Sequence, residues 1–319
     1  MKTSRPVSIF ITILVLAAFV IYFTLNTSKF RPLAHINWPF LAIILFMNVV
    51  AIASNGVFTK LILRPFGKEI RLKESFYVSL ISSVGNFFAP VGAGFGFRAV
   101  YLKRRHGVAF SDYISTLSGN YIIVFLVSSI FGLFSLFNLR SRSDSRFSLI
   151  LAAFIFLLAF SIFLSLFRIP GPKPNTKNHY LRYFLENVSR VNQGWRHIVS
   201  HKILMLQLIA LTTFNLFIVM VINFTIIKSL HFSITLAPLI LFSVLGSMSL
   251  FINITPANLG VKEAVYLFSS TILGFSTAQI LAIALIDRGC VFLVLGSLWV
   301  VSNKLKSPLP KRESDEQAQ

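Results

Sequence analysis

Five ionisable residues of this 319-residue chain, Arg98, Lys262, Glu263, Asp287 and Arg288, are set within largely apolar sequence. An isolated charge in a hydrocarbon core costs roughly 2.5 to 3.5 kcal/mol on insertion scales, so such groups are either paired or used on a ligand. Asp287 and Arg288 are neighbours, and neighbours in a helix point about 100° apart. Each therefore needs a partner elsewhere. The reading pairs Arg288 with Glu263 and Asp287 with Lys262 or Arg98, leaving one positive charge open to an anionic headgroup. The alternative is an ion-pair cluster that only locks broken helices together.

Two segments near these charges share a pattern: Asn86 precedes Pro90 and Gly94, and Asn253 precedes Pro256 and Gly260. Each is PxxxG followed by a base and then Val-Tyr-Leu. Pro and Gly break a helix and free backbone groups that protein, water or ligand must satisfy, and inward-pointing helix amino termini suit an anion such as phosphate. Entering from opposite faces, the two segments form an inverted repeat with a binding site between its halves. The bland alternative is that PxxxG permits close helix packing.

The elements that position these residues are membrane helices. Hydrophobic residues make up 55% of the chain and charged residues 13%, about half the charged share of a soluble domain. Continuous apolar blocks cover about residues 7–25, 38–58, 111–137, 147–167, 203–227 and 277–301, each near the twenty residues that cross a ~30 Å core. With the interrupted segments at 75–97 and 236–274, the fold expected is an all-α polytopic helix bundle of about eight hydrophobic passes. Residues 1–302 form a single transmembrane domain and 303–319 a cytoplasmic polar tail. The first block, too long for a signal peptide and without a cleavage site, reads as an uncleaved helix.

Charge placement orients the bundle. Of thirty Lys and Arg, 22 fall in connections on one side and six on the other, so both termini are expected on the cytoplasmic side of the inner membrane. Basic clusters at 60–73 and 98–105 flank the first interrupted segment, and only a re-entrant hairpin keeps both inside. The second is long enough to be either re-entrant or a spanning pair. Between 168 and 202, apolar residues at 181, 184, 188, 191, 195 and 198 predict an amphipathic helix over about 179–200. It lies along the headgroups or docks on the bundle.

Other chemistry is excluded by composition and motif. The net charge of +20 sits in loops without interleaved aromatics, so lipid, not nucleic acid, is the expected counter-charge. Asn48, Asn55, Asn120, Asn215 and Asn223 read as interhelical hydrogen-bonding groups. Six scattered histidines and one cysteine, Cys290, give no metal site. No hydrolase elbow, P-loop or acidic metal motif is present, so neither catalytic residues nor a cofactor are expected.

The segments 86–102 and 253–267, with Arg288 downstream, resemble the motifs of the flippase-like transmembrane domain of lysylphosphatidylglycerol synthases: Pro90, Gly94 and Arg98, then Pro256, Gly260, Val261 and Glu263. The chain departs from that pattern at Phe95, where relatives carry an acid, and at Gly119 and Asn120, where they carry an acidic-basic pair. Only eighteen residues follow Val301, so the aminoacyl-transferring domain and its lysyl transfer are not expected. The resemblance implies movement of an anionic or phosphate-bearing lipid between leaflets, with Arg98, Lys262, Glu263, Asp287 and Arg288 at the site. The alternative is a membrane enzyme or accessory subunit handling polyprenyl-phosphate lipids. Anionic membrane lipids are the expected partners, and a homo-oligomer or a lipid-synthesis partner is compatible with this reading.

Overall fold

The computed structural model describes residues 21, 24, 37–89, 92–139, 145–167, 179–249, 251–252 and 255–304. The expected first span, apart from residues 21 and 24, lies outside that set, as do Pro90, Asn253 and the tail beyond 304. Every regular element among the described residues is helical.

Among the described residues, five helices are long and apolar enough to cross a membrane. They are α1 (Trp38–Leu63), α4 (Phe110–Asn138), α5 (Ser145–Leu166), α7 (Lys202–Ser229) and α11 (Thr277–Lys304). These are the five later spans that the apolar blocks predict. Between them lie α2 (Leu72–Phe88), α3 (Ala93–His106), α6 (His179–Ser200), α8 (Leu236–Ser249), α9 (Val261–Phe268) and the single turn α10 (Ser270–Leu273).

The burial pattern is that of a protein solvated by lipid. Helix α5 buries only Phe147, Ile150, Phe154 and Ser161, and leaves Leu149, Phe156 and Leu166 more than 60% exposed. In water such a face would be a large unpartnered patch; against acyl chains it is ordinary contact. The chain is a multi-pass membrane protein.

The interrupted segments fold as hairpins of short helices. At 1.5 Å per residue, the 17 and 14 residues of α2 and α3 and the 14 and 8 residues of α8 and α9 fall short of the ~20 needed to span. The region 236–274, like the first interrupted segment, is thus a pair of short helical limbs about a broken turn, the second limb running on through α10. The first hairpin sits at the end of α4 where Tyr113 Oη donates to Phe95 O at 2.8 Å, and the second at its other end, where Ser135 Oγ donates to Ala237 O at 2.6 Å. Their tips meet inside the bundle, the Pro256–Asn258 turn packing on α2.

Helix α6 docks on the bundle over the half whose side chains are described. Trp195 is 1% and Ile198 0% exposed, and the Trp195 ring lies where a Cβ on Gly119 would be, 2.7 Å from Cε3. Gly119, a departure from the family pattern, is thus the seat of the tryptophan.

Candidate functional site

The first hairpin closes because two glycines let its backbones touch. A Cβ on Gly85 would stand 2.8 Å from Gly94 Cα, and one on Gly94 would stand 1.9 Å from Ser82 O. The chain turns through Gly92 in the left-handed region, φ 62°, which glycine adopts without a Cβ clash. At the start of α3 the Gly94 N–H donates to Asn86 Oδ1 at 3.0 Å, so Asn86 satisfies one of the N–H groups that a helix start leaves open. One turn on, Arg98 Nε donates to Ser82 Oγ at 3.0 Å. Asn86 and Gly94 therefore hold the tip, and Gly85 joins them. Its role was hidden in sequence because a close approach shows only when the partner backbone is known.

The second hairpin turns through Ala257 (φ 51°), Asn258 (φ 54°) and Gly260 (φ 85°). Two non-glycine residues in the left-handed region are strained and persist only when their surroundings hold them. Asn258 Nδ2 donates to Ser249 O at 2.8 Å, and Thr255 Oγ1 donates to Leu259 O at 2.7 Å. Glu263 Oε2 accepts the Gly260 N–H at 2.8 Å, capping α9. From α11, Arg288 clamps the whole turn: Nε and Nη2 donate to Glu263 Oε1 at 2.9 and 2.5 Å, Nη2 to Asn258 O at 3.2 Å, and Nη1 to Ala257 O. Its neighbour Asp287 turns the other way and takes Lys262 Nζ at 2.6 Å. Both ion pairs thus run between α9 and α11, as the divergence of adjacent helix positions requires.

That pairing leaves Arg98. Among the described residues no carboxylate lies within 4 Å of its guanidinium, and Ser82 is its one side-chain hydrogen-bond partner. Arg98 lines a cavity of about 470 Å³ walled by residues of both hairpins and of α1, α4, α7 and α11. Lys262, Asp287 and Arg288 also reach it, with Asn48, Asn55, Asn120 and Asn215 on other walls. Phe95, Tyr121 and Phe251 form an aromatic side, Tyr121 packing edge-on to both rings with centroids 6.2 and 4.7 Å away. Phe95 stands where the family pattern has an acid, so that position sets no carboxylate beside Arg98.

The asparagines divide. Asn223 Nδ2 donates to Ser243 Oγ across helices at 3.0 Å, as read from sequence, whereas Asn48 bonds its own helix at Ile44 O. Among the described residues Asn215 Oδ1 has no hydrogen-bond partner. Tyr266, the tyrosine of the second Val-Tyr-Leu, is buried beside Gly246, where an added Cβ would lie 2.0 Å from its hydroxyl. Among the described residues no group of three His, Cys, Asp or Glu is placed to hold a metal.

A clamp unforeseen in sequence closes the mouth of the first hairpin. Glu74 Oε1 accepts from Tyr101 Oη at 2.8 Å and Arg105 Nε at 2.9 Å, and His106 Nε2 lies 2.8 Å away. Burial by itself would raise the Glu74 carboxyl, but the hydrogen bonds from His106 and Tyr101 and the charges of His106 and Arg105 outweigh it and hold the group below its ordinary 4.5. A carboxyl lowered on folding stabilises the fold above its unfolded value, and that contribution is lost as pH falls through the folded value. Glu74→Gln is expected to cost no more than about 1 kcal/mol at neutral pH and to flatten the decline in melting temperature between about pH 5 and 3. Parallel wild-type and variant curves would contradict the assignment.

Comparison with known proteins agrees with this architecture. No curated protein and no solved structure matches the chain. The family model described as the lysylphosphatidylglycerol synthase TM region matches residues 8–298, taking in both hairpins and both ion pairs. The chain belongs to the lysylphosphatidylglycerol synthase transmembrane-region family.

Proposed function

We propose that this protein moves a phosphate-bearing lipid between the leaflets of the cytoplasmic membrane, with both termini on the cytoplasmic side and no covalent chemistry of its own. The observation that carries the reading is Arg98, a cation facing the central cavity with no carboxylate beside it among the described residues. A charge so placed is unfavourable unless an anion joins it. Support comes also from the two hairpins, whose mouths lie at opposite ends of α4 and whose tips meet at the cavity. An inverted repeat within a bundle of about eight passes gives a mid-membrane site that each face can reach in turn. The positive-inside charge distribution sets the orientation.

The test is reconstitution into liposomes carrying acyl-chain-labelled phospholipid, with dithionite reporting the labelled lipid left in the inner leaflet. Wild-type protein is expected to speed leaflet exchange, and Arg98→Gln to slow it at least tenfold while leaving the melting temperature within a few degrees. Exchange in the variant at the wild-type rate would overturn the reading. Catalytic turnover of a polyprenyl-phosphate lipid without leaflet exchange would point to the enzyme alternative.

A further inference from the structure

The charges around the cavity are unequally committed, and the imbalance selects a headgroup. Asp287 is the sole acid lining the cavity among the described residues, and Lys262 holds it at 2.6 Å. Glu263 is taken twice, by Arg288 and by the Gly260 N–H. An ammonium entering here would find no unengaged carboxylate and would face Arg98, Lys262 and Arg288. An anion would find Arg98.

Unpaired polar atoms extend the pattern. Ser79 and Tyr266, 0% and 1% exposed, line the cavity and among the described residues their hydroxyls have no partner. Asn215 Oδ1 and Asn258 Oδ1 on other walls are likewise unpartnered. Buried polar atoms normally have partners, so two free hydroxyl donors and two free carbonyl acceptors mark positions that a ligand can satisfy. The donors suit phosphate oxygens, while the acceptors would take a hydroxyl or an ammonium alike, so discrimination against amines rests on the cations Arg98, Lys262 and Arg288 and on the engaged carboxylates.

Resting on the lipid-moving reading, we infer that the accepted headgroup is a monoanionic phosphate diester whose other substituent is neutral and hydroxylated, and that amine-bearing headgroups are rejected. The single uncompensated cation matches one negative charge. The aromatic wall does not reverse this. A cage for a quaternary ammonium needs ring faces open around the cation, whereas Tyr121 packs edge to face with both Phe95 and Phe251.

The experiment compares acyl-labelled phosphatidylglycerol, phosphatidylethanolamine, phosphatidylcholine and lysyl-phosphatidylglycerol in the same proteoliposomes, and in parallel measures the thermal shift that short-chain forms of each, and inorganic phosphate alone, give the detergent-solubilised protein. Phosphatidylglycerol is expected to exchange at least tenfold faster than the other three and to be the one lipid of the four that raises the melting temperature. Arg98→Gln should abolish that shift. Phe95→Glu, which sets a carboxylate three residues before Arg98 on the same helix, should narrow the preference at least fivefold. Equal exchange or equal shifts for an amine-bearing lipid overturn the inference while leaving transport intact. If no lipid exchanges, transport fails, and a shift given by phosphatidylglycerol but not by the amine-bearing lipids still supports the headgroup assignment. A shift from inorganic phosphate with none from phosphatidylglycerol overturns it, because the site would then serve a free anion.

Discussion

Arg288→Ala is expected to destabilise the solubilised protein by about 3–5 kcal/mol, the range found when one partner of a buried ion pair is removed, and to abolish leaflet exchange with it. The guanidinium does more than neutralise Glu263. It also binds the carbonyls of Ala257 and Asn258, the two residues held in the left-handed region. Without it a buried carboxylate loses its counter-charge, and two carbonyls of a strained turn lose their donors in a setting with little water to replace them. Arg288→Lys keeps the charge but not the planar fork that reaches three acceptors at once, so it should recover less than half of the loss. Chemical denaturation of both variants in detergent checks this. An Arg288→Ala protein within about 1 kcal/mol of wild type would mean that the turn holds itself. The contrast with Arg98→Gln, which should keep its fold and lose transport, separates the clamp from the ligand-facing charge.

How much of this could be read from sequence follows from the range of the forces involved. The five described spans were legible because apolar blocks of about twenty residues have few other uses. The first hairpin was legible because basic clusters on both sides forbid a single crossing. The ion pairs followed from helix geometry, since Asp287 and Arg288 cannot face the same way, although the choice between Lys262 and Arg98 for Asp287 needed coordinates. What escaped depends on contacts between distant segments. Gly85, Gly119 and Gly246 look alike in sequence, yet one meets a backbone, one a tryptophan ring and one a tyrosine hydroxyl. The Glu74 clamp joins residues 27 to 32 positions apart, and nothing local marks Glu74 as more than a loop acid. Length alone allowed 236–274 to span twice. The break through Ala257, Asn258 and Gly260 shortened its limbs, and no propensity predicts two non-glycine residues at positive φ.

Gly94→Ala should cost roughly 3 kcal/mol or more, at or beyond the upper end of the usual overpacking range, and should lower exchange further than the lost stability explains. The added methyl would stand 1.9 Å from Ser82 O and 2.6 Å from Asn86 Oδ1. The first is a backbone atom of α2 and cannot move aside as the end of a flexible side chain would. The limbs must part instead, which breaks the Asn86 bond to the Gly94 N–H and draws Arg98 away from Ser82, three residues before and one turn after the tip contact. Gly96 supplies the control on the same helix: a Cβ there meets nothing within 4 Å, so Gly96→Ala should range from neutral to about 1 kcal/mol stabilising through helix propensity. Two methyl groups, two residues apart, thus carry opposite expected signs. Unfolding midpoints for the pair decide between a hairpin closed by backbone contact and one held only by its flanking helices. If both alanine variants melt together, the Gly85–Gly94 approach is not what sets the position of Arg98.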